Sequence, residues 1–89
     1  MNLVFVLGKI ISDIEYKFII NSKNKAITIF KIKLLDDNEI TVKAYNEYAD
    51  YCYSKLNKND DIYIEGYINS KMQIIVNNIE NEDIKSKNK

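Results

Sequence analysis

Lys31 and Lys33 alternate with Phe30, Ile32 and Leu34, and Lys43 alternates with Val42 and Ala44. On a strand, that spacing sends the ammonium groups to one face and the apolar side chains to the other. A row of lysines holds a polyanion by point charge, because lysine lacks the bidentate fork of arginine. The same row also describes solvated residues that blunt a sheet surface. Other chemistry is narrowly bounded. There is no histidine, and Cys52 is the only cysteine. A disulfide within the chain, a Cys/His zinc site, and Ser/His/Asp or Cys/His nucleophile pairs are therefore excluded. Gly8 and Gly66 are the only glycines, so neither a dinucleotide fingerprint nor a phosphate loop exists. The carboxylate pairs Asp36-Asp37 and Asp60-Asp61 read as turn formers. These residues point to a binding module that uses no cofactor and no metal, and away from an enzyme.

The 89 residues suffice for one domain. With 46% hydrophobic and 29% charged residues, the chain can build a small core. Thirteen lysines balance thirteen acids, and no arginine is present. A clamp that works by bulk positive charge is excluded. The charge is nevertheless segregated. Residues 1–35 carry six lysines against Asp13 and Glu15, and residues 36–89 carry seven lysines against eleven acids. No apolar run reaches the ~20 residues of a membrane span, and the start of the chain lacks a charged leader, so a cytosolic protein is expected.

Five strands and one helix account for the pattern. Strands are predicted over residues 2–11, 26–35, 39–45, 61–68 and 72–79. Residues 36–38 form the turn between the second and third strands. Tyr48, Ala49, Cys52 and Leu56 recur at helical spacing and predict a helix over residues 46–56. Asn46 is expected to cap it with its side-chain carbonyl, and Asn59 to take a left-handed conformation beyond its end. Cys52 should be a small buried filler, and Tyr48, Tyr51 and Tyr53 packing residues. Residues 80–89 are polar and read as a frayed tail after a domain of residues 1–79. A helix between the third and fourth of five strands is the layout of an OB-fold, a small all-β Greek-key barrel.

The residues themselves are similar to the OB domain of bacterial single-stranded-DNA-binding (SSB) proteins, over residues 1–79. Asn2-Leu-Val-Phe-Val-Leu-Gly8-Lys-Ile, followed by Asp13 and Glu15, resembles the family's Asn-x-Val-x-Leu-x-Gly-Arg-Leu strand and its Asp-Pro-Glu continuation. Ala26-Ile-Thr-Ile-Phe30-Lys-Ile32 resembles the second strand. Ile62-Tyr-Ile-Glu65-Gly66-Tyr-Ile68 is close to Val-Tyr-Ile-Glu-Gly-x-Leu, and Ile75-Val76-Asn77-Asn78-Ile79 to the last strand. Ile14 replaces the usual proline. The hairpins between strands two and three and between four and five are short. There is no tryptophan, and the acidic C-terminal tip is lacking, as in the primosomal replication protein.

The resemblance implies non-sequence-specific binding of single-stranded DNA in replication, repair or recombination. Such binding needs a cationic track for phosphates and flat side chains for bases. OB-folds bind on the face of strands two and three, between the first-second and fourth-fifth loops. The candidates are Lys31, Lys33 and Lys43 on that face, Lys17 and Phe18 with Lys23 and Lys25 in the first loop, and Lys71 in the last. The resemblance assigns base stacking to Tyr45, which without it reads as a rim-packing residue. The apolar first strand invites pairing with a second copy, giving a homodimer or a tetramer. Tyr63 and Tyr67 are expected at such a contact. Two other readings stand beside this one: an OB module for protein contacts that has lost DNA binding, and an RNA binder.

Overall fold

The computed structural model describes residues 2–20, 23 and 26–81. Six strands and one helix follow in the order β1 (Val4–Ile10), β2 (Glu15–Phe18), β3 (Ala26–Leu34), β4 (Glu39–Tyr45), α1 (Glu47–Lys55), β5 (Asp61–Ile68) and β6 (Ile74–Asn81). Five of them close a barrel. β1 pairs antiparallel with β5 and with β3, β3 with β4, and β5 with β6, while a parallel pairing of β4 with β6 completes the ring. This is an OB-fold, as the sequence pattern predicts. β2 is an additional strand. It lies outside the ring and extends β3 as a hairpin, so Lys17 and Phe18 sit on a strand where a loop was expected.

Alternation builds the core. Phe30 and Ile32 of β3, Val42 and Ala44 of β4, and Ile62 and Ile64 of β5 all point inward and are buried. α1 plugs one end of the barrel with Ala49, Cys52 and Leu56, and Tyr48 and Tyr51 pack half-buried against the same cluster. Thr28 Oγ1 donates to the Ala49 carbonyl at 2.9 Å and fixes the plug to β3. Tyr53 departs from expectation. It is exposed, because the helix turns it away from the core and towards the β2 hairpin, where its ring centroid lies 5.1 Å from that of Tyr16.

The predicted cap also differs. Asn46 precedes α1 with φ 54°, and its side chain makes no hydrogen bond to the first turn. Its backbone N–H donates to Ala26 O at 2.8 Å instead, and its Oδ1 faces Ala26 N at 3.5 Å. Its side chain thus serves the β3–helix junction, while its carbonyl accepts from Asp50 N at 3.0 Å in the first turn. Asn59 does take the left-handed conformation, φ 79°, and its N–H donates to Ile10 O. β6 begins at Ile74, two residues later than predicted, because Asn69 closes the β5–β6 turn with its side chain on Lys71 N and Gln73 N. β6 runs on to Asn81, which is buried with its Nδ2 donating to Asp60 Oδ2 at 2.8 Å. The rest of the expected tail, residues 82–89, lies outside the described residues.

Two close approaches constrain the ring. At Gly66, beside a register shift between β5 and β6, a Cβ would fall on the carbonyl oxygen of Ile75. At Gly8 a Cβ would meet Ile32 Cδ1 and Lys33 O at 3.1 Å each. At Gly66 the overlap is with a backbone oxygen held in a ladder and is too deep to relieve without moving a strand, whereas at Gly8 both contacts are only tight and a shift of a few tenths of an ångström relieves them. Gly66→Ala is therefore expected to lower stability by about 2–3 kcal/mol and Gly8→Ala by less, read as urea midpoints at unchanged slope.

Burial pushes the Cys52 thiol up to about 12, from an ordinary value of 9.0. The folded state thus keeps the thiol neutral where the unfolded chain ionises it. Its contribution is complete below pH 9 and is lost as the pH rises towards 12. The urea midpoint should fall steadily above pH 9, and Cys52→Ala should flatten that fall.

Candidate nucleic-acid interface

The outer face of the barrel over β2, β3 and β4 is set by strand register. Lys17 lies opposite Ile27, and Ile27 opposite Tyr45. The next row is Glu15, Ile29 and Lys43. Lys31 then pairs with Thr41, and Lys33 with Glu39. Val42 and Ala44 are fully buried on the opposite side of β4, which fixes Lys43 and Tyr45 as outward residues. Four lysines therefore share one face, with Tyr45 at its helix-proximal end. Tyr45 is half-buried there.

Sequence reasoning missed the middle of this face. Ile27 and Ile29 also point outward, between the lysines and the tyrosine, and Ile27 is only 8% exposed. They give the face an apolar floor. The signal was present in the alternation, which places residues 27 and 29 on the same side as Lys31 and Lys33.

Phe18 and Lys71 stand apart from this cluster. Phe18 belongs to the other side of the β2 hairpin, shared with Tyr16, and is 64% exposed near its tip beside Ile19 and Ile20. Lys71 is exposed in the turn before β6. That turn leaves the Val42–Ile74 pairing towards the Thr41 and Glu39 end of the face. Lys23 is exposed, and Lys25 lies outside the described residues.

The hairpin that carries Lys17 is fastened to the helix. Tyr16 Oη donates to Asp50 Oδ1 at 2.8 Å, and the carboxylate raises the Tyr16 pKa by favouring the phenol as donor. The ring meets Tyr53 at an interplanar angle of 43°. With one side of β2 held against α1, alternation turns Glu15 and Lys17 to the outer face.

On the far wall of the barrel, β1 turns Leu3, Phe5 and Leu7 to solvent at 56%, 57% and 48% exposure. Phe5 lies opposite Glu65 and Leu7 opposite Tyr63 on β5. Tyr67 is exposed there, and Tyr63 is half-buried with its Oη donating to Glu65 Oε1 at 3.1 Å. Pairing with β3 covers only Gly8–Ile10 of β1. The earlier part of the strand has β5 on one edge and, among the described residues, no strand on the other.

With this geometry, the chain superposes on solved single-stranded-DNA-binding domains. The SSB domain of a Synechococcus protein matches with a TM-score of 0.79 at 13% identity, covering 90% of this chain and 94% of that one. The fold they share is the OB-fold. A small single-stranded-DNA-binding protein from Streptomyces coelicolor gives 0.74 at 15% identity, with 91% and 94% covered. The single-stranded-DNA-binding protein from Thermus aquaticus gives 0.77 at 17% identity, with 91% of this chain and 40% of that chain covered. No family model matches the sequence, and no curated protein matches it. Among the described residues, no helix is long and apolar enough to cross a membrane, and no group of three metal-ligating side chains occurs.

Proposed function

We propose that this OB domain binds single-stranded DNA without strict sequence preference, and that it acts by binding rather than catalysis. One observation carries the reading: Lys17, Lys31, Lys33 and Lys43 share the β2–β3–β4 face with the half-buried Tyr45 and an Ile27–Ile29 floor. The ammonium groups supply a track for phosphates. The phenol and the half-buried Ile29, backed by the buried Ile27, supply apolar contact for bases, which every base can use. Solved structures that share this fold include single-stranded-DNA-binding proteins, which supports the same reading. Lys71 extends the track at its Thr41 and Glu39 end, Phe18 stands at the hairpin tip on the opposite side and is not part of it, and the setting is cytosolic.

Anisotropy of labelled oligo-dT at low salt tests the proposal. Binding in the micromolar range or tighter is expected. Tyr45→Ala should remove about 1–3 kcal/mol, roughly fivefold or more in affinity. Four lysine–phosphate contacts on a single strand should give a slope of about −3 in log K against log salt. No binding at low salt would leave an OB module for protein contacts.

The first strand is proposed to pair two copies into a homodimer, with a tetramer as a further step. Its free edge and the exposed Leu3, Phe5 and Leu7 support this. Light scattering on the eluting protein should give twice the 10.4 kDa chain mass. Phe5→Glu should shift it to monomer, and a strict monomer for the unmodified chain would remove the proposal.

A further inference from the structure

The β2 hairpin stands outside the ring that braces the other strands. β1 pairs with β3 as far as Ile10, and β2 takes over that edge at Glu15. Between them the chain leaves the sheet, and a cleft of about 370 Å³ opens beside Ser12, with Ile29 and Thr41 in its lining. β2 therefore joins the sheet only through its pairing with β3, from Glu15–Ile29 to Phe18–Ala26. All of its residues are exposed, and a two-stranded ribbon is marginal by itself. Among the described residues, Tyr16 is the only one of β2 whose side chain forms a hydrogen bond, ion pair or ring contact.

We infer that the Tyr16–Asp50 hydrogen bond is a latch, and that both are positioning residues for the DNA face: they hold Lys17 in line with Tyr45 without touching the strand. The inference rests on the DNA-binding reading of that face. Lys17, Ile27 and Tyr45 form one row across β2, β3 and β4. Two strand spacings, about 10 Å, separate the lysine from the tyrosine. A nucleotide stacked on Tyr45 has a phosphate within reach of the Lys17 arm only while β2 continues the sheet. Lys31, Lys33 and Lys43 ride on strands of the closed ring, whereas Lys17 does not.

The latch is anchored on a fixed post. Alternation puts Tyr16 on the side of β2 that faces α1, in the row of the buried Thr28 and Ala44. The helix meets that row at two successive residues. Ala49 O accepts from Thr28 Oγ1 at 2.9 Å, and Asp50 Oδ1 accepts from Tyr16 Oη at 2.8 Å. Tyr53, about one turn further on, meets the Tyr16 ring at 5.1 Å. Ala49 and Cys52 are fully buried, so the helix itself does not yield. Without the latch the ribbon swings away from α1 and carries Lys17 off the phosphate track. A strand bound at Lys17 must in turn hold the hairpin down, since such coupling is reciprocal.

Anisotropy of labelled oligo-dT at about 50 mM salt reads the latch against Lys17. Lys17→Ala is expected to weaken binding about fivefold and to flatten the slope of log K against log salt by about 0.7, one phosphate contact on a single strand. Tyr16→Phe removes only the hydroxyl; it should weaken binding about threefold, never beyond the Lys17→Ala loss, and flatten the slope in the same sense. In the Lys17→Ala background it should change neither. Asp50→Ala and Asp50→Asn remove the same charge, but the amide keeps an acceptor oxygen, so the alanine variant should bind about threefold more weakly than the asparagine one. Amide exchange over residues 15–18 should quicken with Tyr16→Phe while β5 and β6 keep their rates, and should slow when oligo-dT is added. An unchanged affinity for Tyr16→Phe, even with faster exchange, overturns the inference and leaves DNA binding standing. An equal loss with and without Lys17, or equal binding by the two Asp50 variants, overturns it as well. If the unmodified protein does not bind oligo-dT, the DNA-binding reading falls and takes the positioning role with it.

Discussion

β1 has two hydrogen-bonding edges and uses them over different lengths, and most of the molecule follows from that mismatch. One edge is paired with β5 from Val4 to Lys9. The other meets β3 only from Gly8 to Ile10. A strand that belongs to two neighbours crossing at an angle must bend where it changes hands, and Gly8 occupies that point with little room for a side chain. Before the bend, an unpaired edge and an apolar outer face are left towards solvent. After it, the chain leaves the sheet, and the cleft between Ile10 and Glu15 opens on the face that carries the lysines.

The electrostatics are local for a related reason. The chain is neutral overall, so no long-range field draws a polyanion to it. Register concentrates four lysines on the outer face of β2–β3–β4 and sets Glu15 and Glu39 among them. Such a face attracts phosphate over a few ångströms and discourages it just beside. On the proposed reading such a surface would orient a strand, where a uniformly basic surface would only collect one. The middle of that face is apolar, with Ile29 half-buried over the buried Ile27, so it carries no polar group that a covering molecule would strand.

The helix joins these parts into one rigid body. It fills the barrel end with small side chains, accepts Thr28 from β3, and holds the β2 hairpin through Asp50 and Tyr53. The hairpin has only four residues in β2, all of them exposed. A short ribbon of that kind has little stability of its own. Its direction, and with it the position of Lys17, depends on the Tyr16 contacts with the helix.

Much of this was legible in the amino-acid sequence. The period-2 runs through Phe30, Val42 and Ile62 gave the barrel strands, and the stripe of Ala49, Cys52 and Leu56 gave the plug, because burial of apolar side chains is written directly into spacing. The side of the sheet that carries Lys31, Lys33, Lys43 and Tyr45 was legible for the same reason. The remainder depended on partners far away in the chain. Residues 15–18 do alternate, Glu15 and Lys17 against Tyr16 and Phe18, but four residues are too short a run to declare a strand, and theirs exists because β3 offers a free edge beyond the reach of β1. Asn46 carries a cap signal, but its backbone is drawn to Ala26, twenty residues earlier. Tyr53 follows the helix sequence yet meets a hairpin instead of the core. The cleft beside Ser12 has no local signature, since it is the space between two strands competing for one edge. Local periodicity therefore determined which residues face inward and which outward, while closure of the ring alone decided which outward residues meet.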